Sequence, residues 1–169
     1  MLSKHLNEEL NNQIMYEFFS AHLYLAMAAK FESLDFAGAS NYMKVQAEEE
    51  KSHAMKIFDF IAEKGGDIEI LGFETPVVKG NDILEIFEET LEHEQWVTKR
   101  INLLMDIAQE ERDYSVISFL NWFIDEQVEE ESNADAIIKK LRLIGDNSNG
   151  LYQMDKELAT RVFVDDTQE

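Results

Sequence analysis

The chain has 169 residues, of which 45% are hydrophobic, and these values predict one domain with a substantial core. Its 35 acidic and 15 basic residues give a net charge of −20 at pH 7, which argues against nucleic acid and anionic membranes and favours cations as partners. Cysteine is absent, which excludes disulfides, thiolate metal sites and cysteine nucleophiles. The N-terminus is polar and no stretch approaches the ~20 apolar residues of a membrane span, so we expect a cytoplasmic protein.

Four long helices follow one another along the chain, and the single proline, Pro76, agrees with an all-helical fold. Their predicted ranges are residues 4–32, 39–64, 82–109 and 114–144. Ser3 is a candidate N-cap for the first helix, and Gly65 and Gly145 are candidate stop signals for the second and fourth. A short fifth helix is predicted at about 151–160. We expect residues 1–160 to form the domain and 161–169 to form an acidic, mobile C-terminal tail.

The lengths of the connections predict how the helices run. The first and third connections are short, and short connections force the helices they join into antiparallel hairpins. The middle loop, residues 67–81, is long enough at about 3.3 Å per residue to return along a helix of roughly 40 Å. The second and third helices can therefore run parallel. The predicted fold is all-α: a four-helix bundle with one long crossover and a short C-terminal fifth helix.

Each long helix carries an apolar stripe at spacings of three and four residues, and each stripe has a polar break near its middle. The ligand-type residues at these breaks are Glu17, Glu50, His53, Glu94 and Glu130. Packing the helices side by side brings the breaks to one height. Buried carboxylates without partners would cost several kcal/mol each, and bound cations are the simplest way to offset that cost. The pattern predicts a metal site.

The ligand types indicate which metals suit the site. Glu50 and His53 have a Glu-x-x-His spacing that places both side chains on one helix face. Carboxylates with one imidazole suit Fe²⁺, Mn²⁺ or Mg²⁺ better than structural zinc, and so few ligands leave positions open for water or dioxygen. Among these ions, only iron readily pairs such a site with the two-electron reduction of O₂.

Several motifs, in register with one another, resemble those of ferritins, specifically the non-haem bacterial or archaeal type. The matching pieces are Glu17 with Tyr24, EEEKSH at 48–53, HEQ at 93–95, FLNWFIDEQVEEE at 119–131 and GLYQMDKEL at 150–158. Together they cover nearly the whole chain, from about residue 6 to residue 158. The ferritin-like di-iron bundle is the established example of carboxylates and Glu-x-x-His ligands projecting into a bundle core.

The resemblance implies a di-iron centre with unequal halves. Glu17, Glu50 and His53 would bind the first iron, and Glu50 would bridge to the second. Glu94 and Glu130 would hold the second iron, with Gln127 close by on the side that faces O₂.

The resemblance also implies a third iron site beside the pair. Its acids would be Glu49, Glu126 and Glu129, with Glu130 shared. Tyr24 looks like the family tyrosine that hydrogen-bonds near the site and can supply an electron. Trp122 is a weaker candidate for the same role.

At several motif positions this chain differs from related di-iron proteins, and these differences narrow the type of metal centre that we expect. Bacterioferritins and many di-iron oxygenases carry a second Glu-x-x-His, where this chain has Gln127-x-x-Glu130, so we expect looser binding of the second iron. The haem methionine of bacterioferritins would fall at Lys51 or Ser52, so no haem is expected. Rubrerythrins need cysteine pairs for their additional iron, and this chain has none.

The function implied is that of a ferroxidase and iron store, which oxidises Fe²⁺ with O₂ or H₂O₂ and accumulates ferric mineral. By resemblance, 24 chains would assemble into a hollow homo-oligomeric shell. One alternative is a di-iron oxidase or oxygenase that acts on an organic substrate, which would need an apolar pocket. A second alternative is a non-catalytic metal-binding bundle in which the site only fixes the register of the helices.

Overall fold

The computed structural model describes residues 2–165 and residue 167. Over that range it contains five α-helices and no strand. The helices are α1 (Lys4–Ser33), α2 (Ala37–Glu63), α3 (Ile83–Glu111), α4 (Tyr114–Ile144) and α5 (Ser148–Leu158). The predicted all-α fold, a four-helix bundle with a short fifth helix, is confirmed. In the described part of the chain, no helix is both long and apolar enough to cross a membrane.

Side-chain contacts show the directions of the helices. Helices α1 and α3 are antiparallel. Glu9 near the start of α1 contacts Arg100 in the second half of α3, and Phe31 near the end of α1 contacts Phe87 near the start of α3. The pair α2 and α4 behaves in the same way. The end of α1 meets the start of α2 through Glu32 and Ser40, and Asn11 near the start of α1 donates to the Asp67 carbonyl oxygen just after α2. Since α1 is antiparallel to both α2 and α3, α2 and α3 are parallel. The connection 64–82 is therefore the long crossover.

Local hydrogen bonds explain where the long helices begin and end. Ser3 Oγ accepts from the Leu6 N–H, as predicted, and Asp82 and Asp113 cap α3 and α4 in the same way. Helix α3 continues two residues beyond the predicted Gln109, because Arg112 takes the left-handed C-terminal position with φ 57°. The turn into α4 is therefore shorter than expected.

Helix α5 begins earlier than predicted and packs on α2. Asn147 accepts from the Gly150 N–H at 2.8 Å, so the helix includes Gly150 instead of beginning after it. Asp155 accepts from the backbone N–H groups of Gly38 and Ala39 at the start of α2. A Cβ at Gly38 would lie 1.7 Å from the Asp155 carbonyl oxygen, so this close approach requires glycine.

The core consists of two apolar clusters with a polar layer between them. One cluster contains Tyr24, Phe31, Met43 and Phe87, and the other contains Leu10, Ile57, Ile101 and Phe123. All five ligand-type residues of the predicted breaks, Glu17, Glu50, His53, Glu94 and Glu130, are among the buried polar side chains. The fold therefore brings those breaks to one height.

The described part of the C-terminal segment lies against α2. Arg161 contacts residues of α2, and Lys56 donates to the Thr167 carbonyl oxygen. Thr167 is 9% exposed. The mobility of the tail stays a prediction, and its members Asp166, Gln168 and Glu169 lie outside the described residues.

Candidate metal centre

The polar layer collects the predicted site residues from all four long helices. Each of them is at most 5% exposed: Glu17, Tyr24, Glu50, His53, Glu94, Gln127 and Glu130. Their positions follow from the 3,4 spacing, which turns one face of each helix toward the interior. Burial of so many acids in one layer means that the fold needs either protons or cations there.

One half of the layer brings together three side chains that could hold a metal ion. Donor atoms of Glu17, Glu50 and His53 all lie within 4.8 Å of one another. His53 Nδ1 is 3.6 Å from Glu50 Oε2, and His53 Nε2 is buried without a hydrogen-bond partner. The Gln13 amide donates to Glu17 Oε1 at 2.8 Å and fixes that carboxylate. This half presents two carboxylates and one imidazole to a common point.

Protein hydrogen bonds occupy the carboxylates of the other half. The Tyr24 hydroxyl donates to Glu94 Oε1, and the Gln127 amide donates to Glu94 Oε2 at 3.2 Å. The Gln46 amide donates to Glu130 Oε2 at 2.8 Å. A metal ion that binds here must share these oxygens with the donors or displace them.

Electrostatics couple the two halves. Burial, together with the charges of Glu94, Glu17 and Glu130, raises the pKa of Glu50 well above its usual value. Burial and the neighbouring Glu130 likewise raise the pKa of Glu94. Burial also raises the pKa of Tyr24, with Glu94 and Glu50 adding to the effect. Each shift reflects the cost of negative charge in one confined volume, and a divalent cation would remove that cost.

The three acids expected at the third site are more exposed than the ligands of the pair. Glu49 and Glu126 are half-buried, and Glu129 is exposed. Glu126 Oε1 lies 3.8 Å from His53 Nε2, which places it at the edge of the first half. Glu49 pairs with the guanidinium of Arg161. Among the described residues, these acids do not converge as tightly as Glu17, Glu50 and His53 do.

Several supporting residues were not identified from the sequence. Gln46 lies on the apolar stripe of α2, and a polar residue at such a position indicates a buried hydrogen-bonding side chain. Gln13 lies outside the stripe of α1 but is fully buried. Arg161 follows α5 and gave no local signal. His93 places its Nε2 2.7 Å from Ser20 Oγ, and burial lowers its pKa to about 4.

A four-helix bundle with buried glutamates and a histidine on facing helices is the architecture of carboxylate-ligated metal proteins. A family model described as ferritin-like domain matches residues 7–144. The chain therefore belongs to the ferritin family.

Named relatives and solved structures agree with this assignment. The chain is 46% identical over 163 residues to a bacterial non-heme ferritin of Staphylococcus aureus, covering 96% of this chain and 98% of the relative. A Staphylococcus haemolyticus protein of the same description is 47% identical over the same length and coverage. The open-pore ferritin of the archaeon Archaeoglobus fulgidus superposes with a TM-score of 0.94 at 46% identity, covering 96% of this chain and 100% of that one. An engineered closed form of the same ferritin gives a TM-score of 0.95 and covers 97% of this chain.

Proposed function

We propose that this protein is a ferroxidase and iron store, which oxidises Fe²⁺ with O₂ or H₂O₂ at a di-iron centre within each chain. The observation that carries the proposal is the convergence of Glu17, Glu50 and His53, with a buried imidazole nitrogen that has no hydrogen-bond partner. The raised pKa of Glu50 and of Glu94 adds to it, because a cation would offset their mutual repulsion. Relatives described as non-heme ferritins support iron as the metal.

The chain's own residues would divide the work between two iron positions. Glu17 and His53 would hold the first Fe²⁺, and Glu50 would bridge to the second, which Glu94 and Glu130 would bind. Two Fe²⁺ ions then give one electron each to O₂, which takes up two protons and leaves as H₂O₂. The carboxylates lose any bound protons when iron binds, and the nearby acids can accept the protons that ferric hydrolysis releases.

Neighbouring residues would set the geometry of the second position. Gln127 donates to Glu94, and Tyr24 donates to the other oxygen of the same carboxylate. Both keep Glu94 oriented when iron is absent. Tyr24 would also supply an electron to the centre. No haem is expected, because Lys51 and Ser52 stand where a haem-binding methionine would be.

Storage would follow from assembly. The proposed oligomer is a hollow shell of 24 copies in the cytoplasm, with ferric oxyhydroxide inside. A net charge of −20 per chain would gather Fe²⁺ at the shell and favour growth of mineral on an acidic inner surface.

The test is anaerobic loading of metal-free protein with two Fe²⁺ per chain, followed by mixing with O₂ and recording of the near-ultraviolet and visible absorbance. We expect a fast transient and then a ferric band, both lost in Glu50→Ala and His53→Ala while the shell still assembles. His22→Ala is the matched control, because His22 is exposed and its ring contacts, the Phe18 carbonyl oxygen and the Phe73 ring, involve none of the proposed ligands. Oxidation no faster than in buffer alone would leave a passive metal-binding shell.

One feature favours the second candidate, an oxidase or oxygenase of an organic substrate. A cavity of about 370 Å³ lies between α3 and α4 and reaches Gln127, with Ile101, Ile124 and Val128 among its walls. A substrate bound in that cavity would lie beside Gln127, which donates to Glu94. If oxidation of Fe²⁺ accounts for all the O₂ consumed, and no added apolar compound changes that ratio, this candidate is excluded.

A further inference from the structure

The segment after α5 carries an arginine onto the acids beside the metal centre. The Arg161 guanidinium pairs with Glu49, donates to Gln46 Oε1 and lies 4.1 Å from the centre of the Tyr42 ring. These three partners occupy successive turns of α2. One guanidinium therefore holds one side of the helix that supplies Glu50 and His53.

The backbone around Arg161 is anchored as well as its side chain. The Asn41 amide donates to the Arg161 carbonyl oxygen at 3.0 Å, and Leu158 at the end of α5 is 4% exposed. Within α5, the Asp155 carboxylate accepts from backbone N–H groups at the start of α2. Arg161 is thus positioned by α5, and its contact with Glu49 is not that of a freely moving surface side chain.

Gln46 connects Arg161 to a ligand of the second iron. Its Oε1 accepts from Arg161, so its NH₂ group is the end that faces Glu130 Oε2 at 2.8 Å. Arg161 therefore acts on two of the acids expected at the third iron position. It pairs with Glu49 directly and orients the donor to Glu130 through Gln46.

Resting on the function proposed above, we propose that Arg161 is a positioning residue that weakens the third iron position. A third Fe²⁺ at Glu49 has to displace the guanidinium or bind beside a fixed positive charge, and both reduce its affinity. The first ion, at Glu17, Glu50 and His53, lies outside these contacts and keeps its ligands. Iron at the third position is then held loosely and passes on into the shell.

The test is an anaerobic calorimetric titration of the metal-free, assembled protein with Fe²⁺ alone, which counts ions and their affinities without any oxidation. In Arg161→Gln we expect the third ion to bind about tenfold more tightly, equivalent to the loss of one charge-assisted contact, while the first ion, whose ligands Arg161 does not reach, binds as in the wild type. Arg161→Lys keeps the charge but cannot bridge Gln46 and Glu49, so its third-ion affinity should fall between the two. A merely structural role would weaken all three ions instead.

Two further variants locate the effect. Arg142→Gln removes the same charge from an exposed pair with Glu88 and should leave the third ion as in the wild type. Adding Glu49→Gln to Arg161→Gln should abolish the gain. If Arg161→Gln does not assemble, Arg161→Lys is compared with the wild type instead, and its third ion should bind more tightly than that of the wild type.

The outcomes separate this inference from the function on which it rests. Two tightly bound ions in every variant, with a third ion indifferent to residue 161, would overturn the role of Arg161 and leave the ferroxidase standing. A wild-type protein that binds no pair of Fe²⁺ ions would overturn the ferroxidase itself.

Discussion

The two halves of the candidate metal centre are made from similar residues but are prepared differently. Around Glu17, Glu50 and His53 the donor atoms converge, and one imidazole nitrogen has no hydrogen-bond partner. Around Glu94 and Glu130 there is no imidazole, and amide or hydroxyl donors occupy carboxylate oxygens. Both halves place an amide donor on a carboxylate, Gln13 on Glu17 and Gln127 on Glu94, but only the first adds an imidazole that converges with two carboxylates. The first half is therefore the better preorganised for a cation.

This difference suggests a division of roles. A preorganised site binds with little rearrangement, so its affinity is high. A site whose oxygens already accept hydrogen bonds gives up part of its binding energy to displace them. In the proposed ferroxidase, unequal affinity would help an oxidised ion to leave the centre for the mineral. The expectation of looser binding at the second iron, first based on the missing Glu-x-x-His, thus gains a structural reason.

The largest expected effect comes from removing His53, the imidazole of the half that also contains Glu17 and Glu50. In His53→Ala we expect the affinity for the first ion to fall by about 100-fold or more. Loss of a residue that only hydrogen-bonds to a metal ligand typically costs 10–100-fold, and His53 would itself be a ligand. Anaerobic Fe²⁺ titration measures it, with His22→Ala as the control. If the first ion binds equally well in His53→Ala, the two halves do not differ in the way described.

A double substitution should make the halves more alike. Gln127→Glu combined with Glu130→His creates a second Glu-x-x-His on α4, and we expect second-ion affinity to rise by about tenfold because imidazole is a better ligand for iron. The same titration reports the change. Gln127→Glu alone is the control, since it adds a charge beside Glu94 without adding a nitrogen ligand. An unchanged second affinity in the double variant would overturn the idea that the missing imidazole limits this half.

The smallest expected effect is on the stability of the metal-free protein. Burial raises the folded-state pKa of Glu94 from 4.5 to about 8. The contribution of protonated Glu94 to the stability of the folded protein is therefore fully present below pH 4.5 and is lost as the pH rises through 8. Glu94→Gln removes this loss. We expect its apparent Tm to exceed that of the wild type at pH 8 by about 2–4 °C, on the order of 1 kcal/mol, and to match it at pH 4.5.

Thermal unfolding of metal-free protein at both pH values checks this prediction. Saturation with a divalent cation should reverse the order, because only the wild type keeps the ligand. A Glu94→Gln protein that is less stable at pH 8 without metal would mean that the hydrogen bonds from Tyr24 and Gln127 outweigh the charge.

Most of the fold could be predicted from the sequence because its signals are local. The 3,4 spacing specified four helices and their buried faces, and the connection lengths specified their directions. The largest errors concerned short segments. Helix α5 begins at Ser148 because Asn147 caps it, and α3 reaches Glu111 because Arg112 adopts a left-handed conformation. A single side chain or backbone angle decides such ends, and periodicity does not report it.

The sequence by itself determined which helix positions carry the acids and the histidine, because a polar residue on an apolar stripe is visible in one dimension. Only the tertiary structure decided how those groups meet. It showed that Glu17, Glu50 and His53 converge while Tyr24, Gln46 and Gln127 occupy the oxygens of Glu94 and Glu130. It also brought Arg161 onto Glu49 across 112 residues of sequence. Contacts over such separations depend on the packing of α5 against α2, which no local pattern encodes.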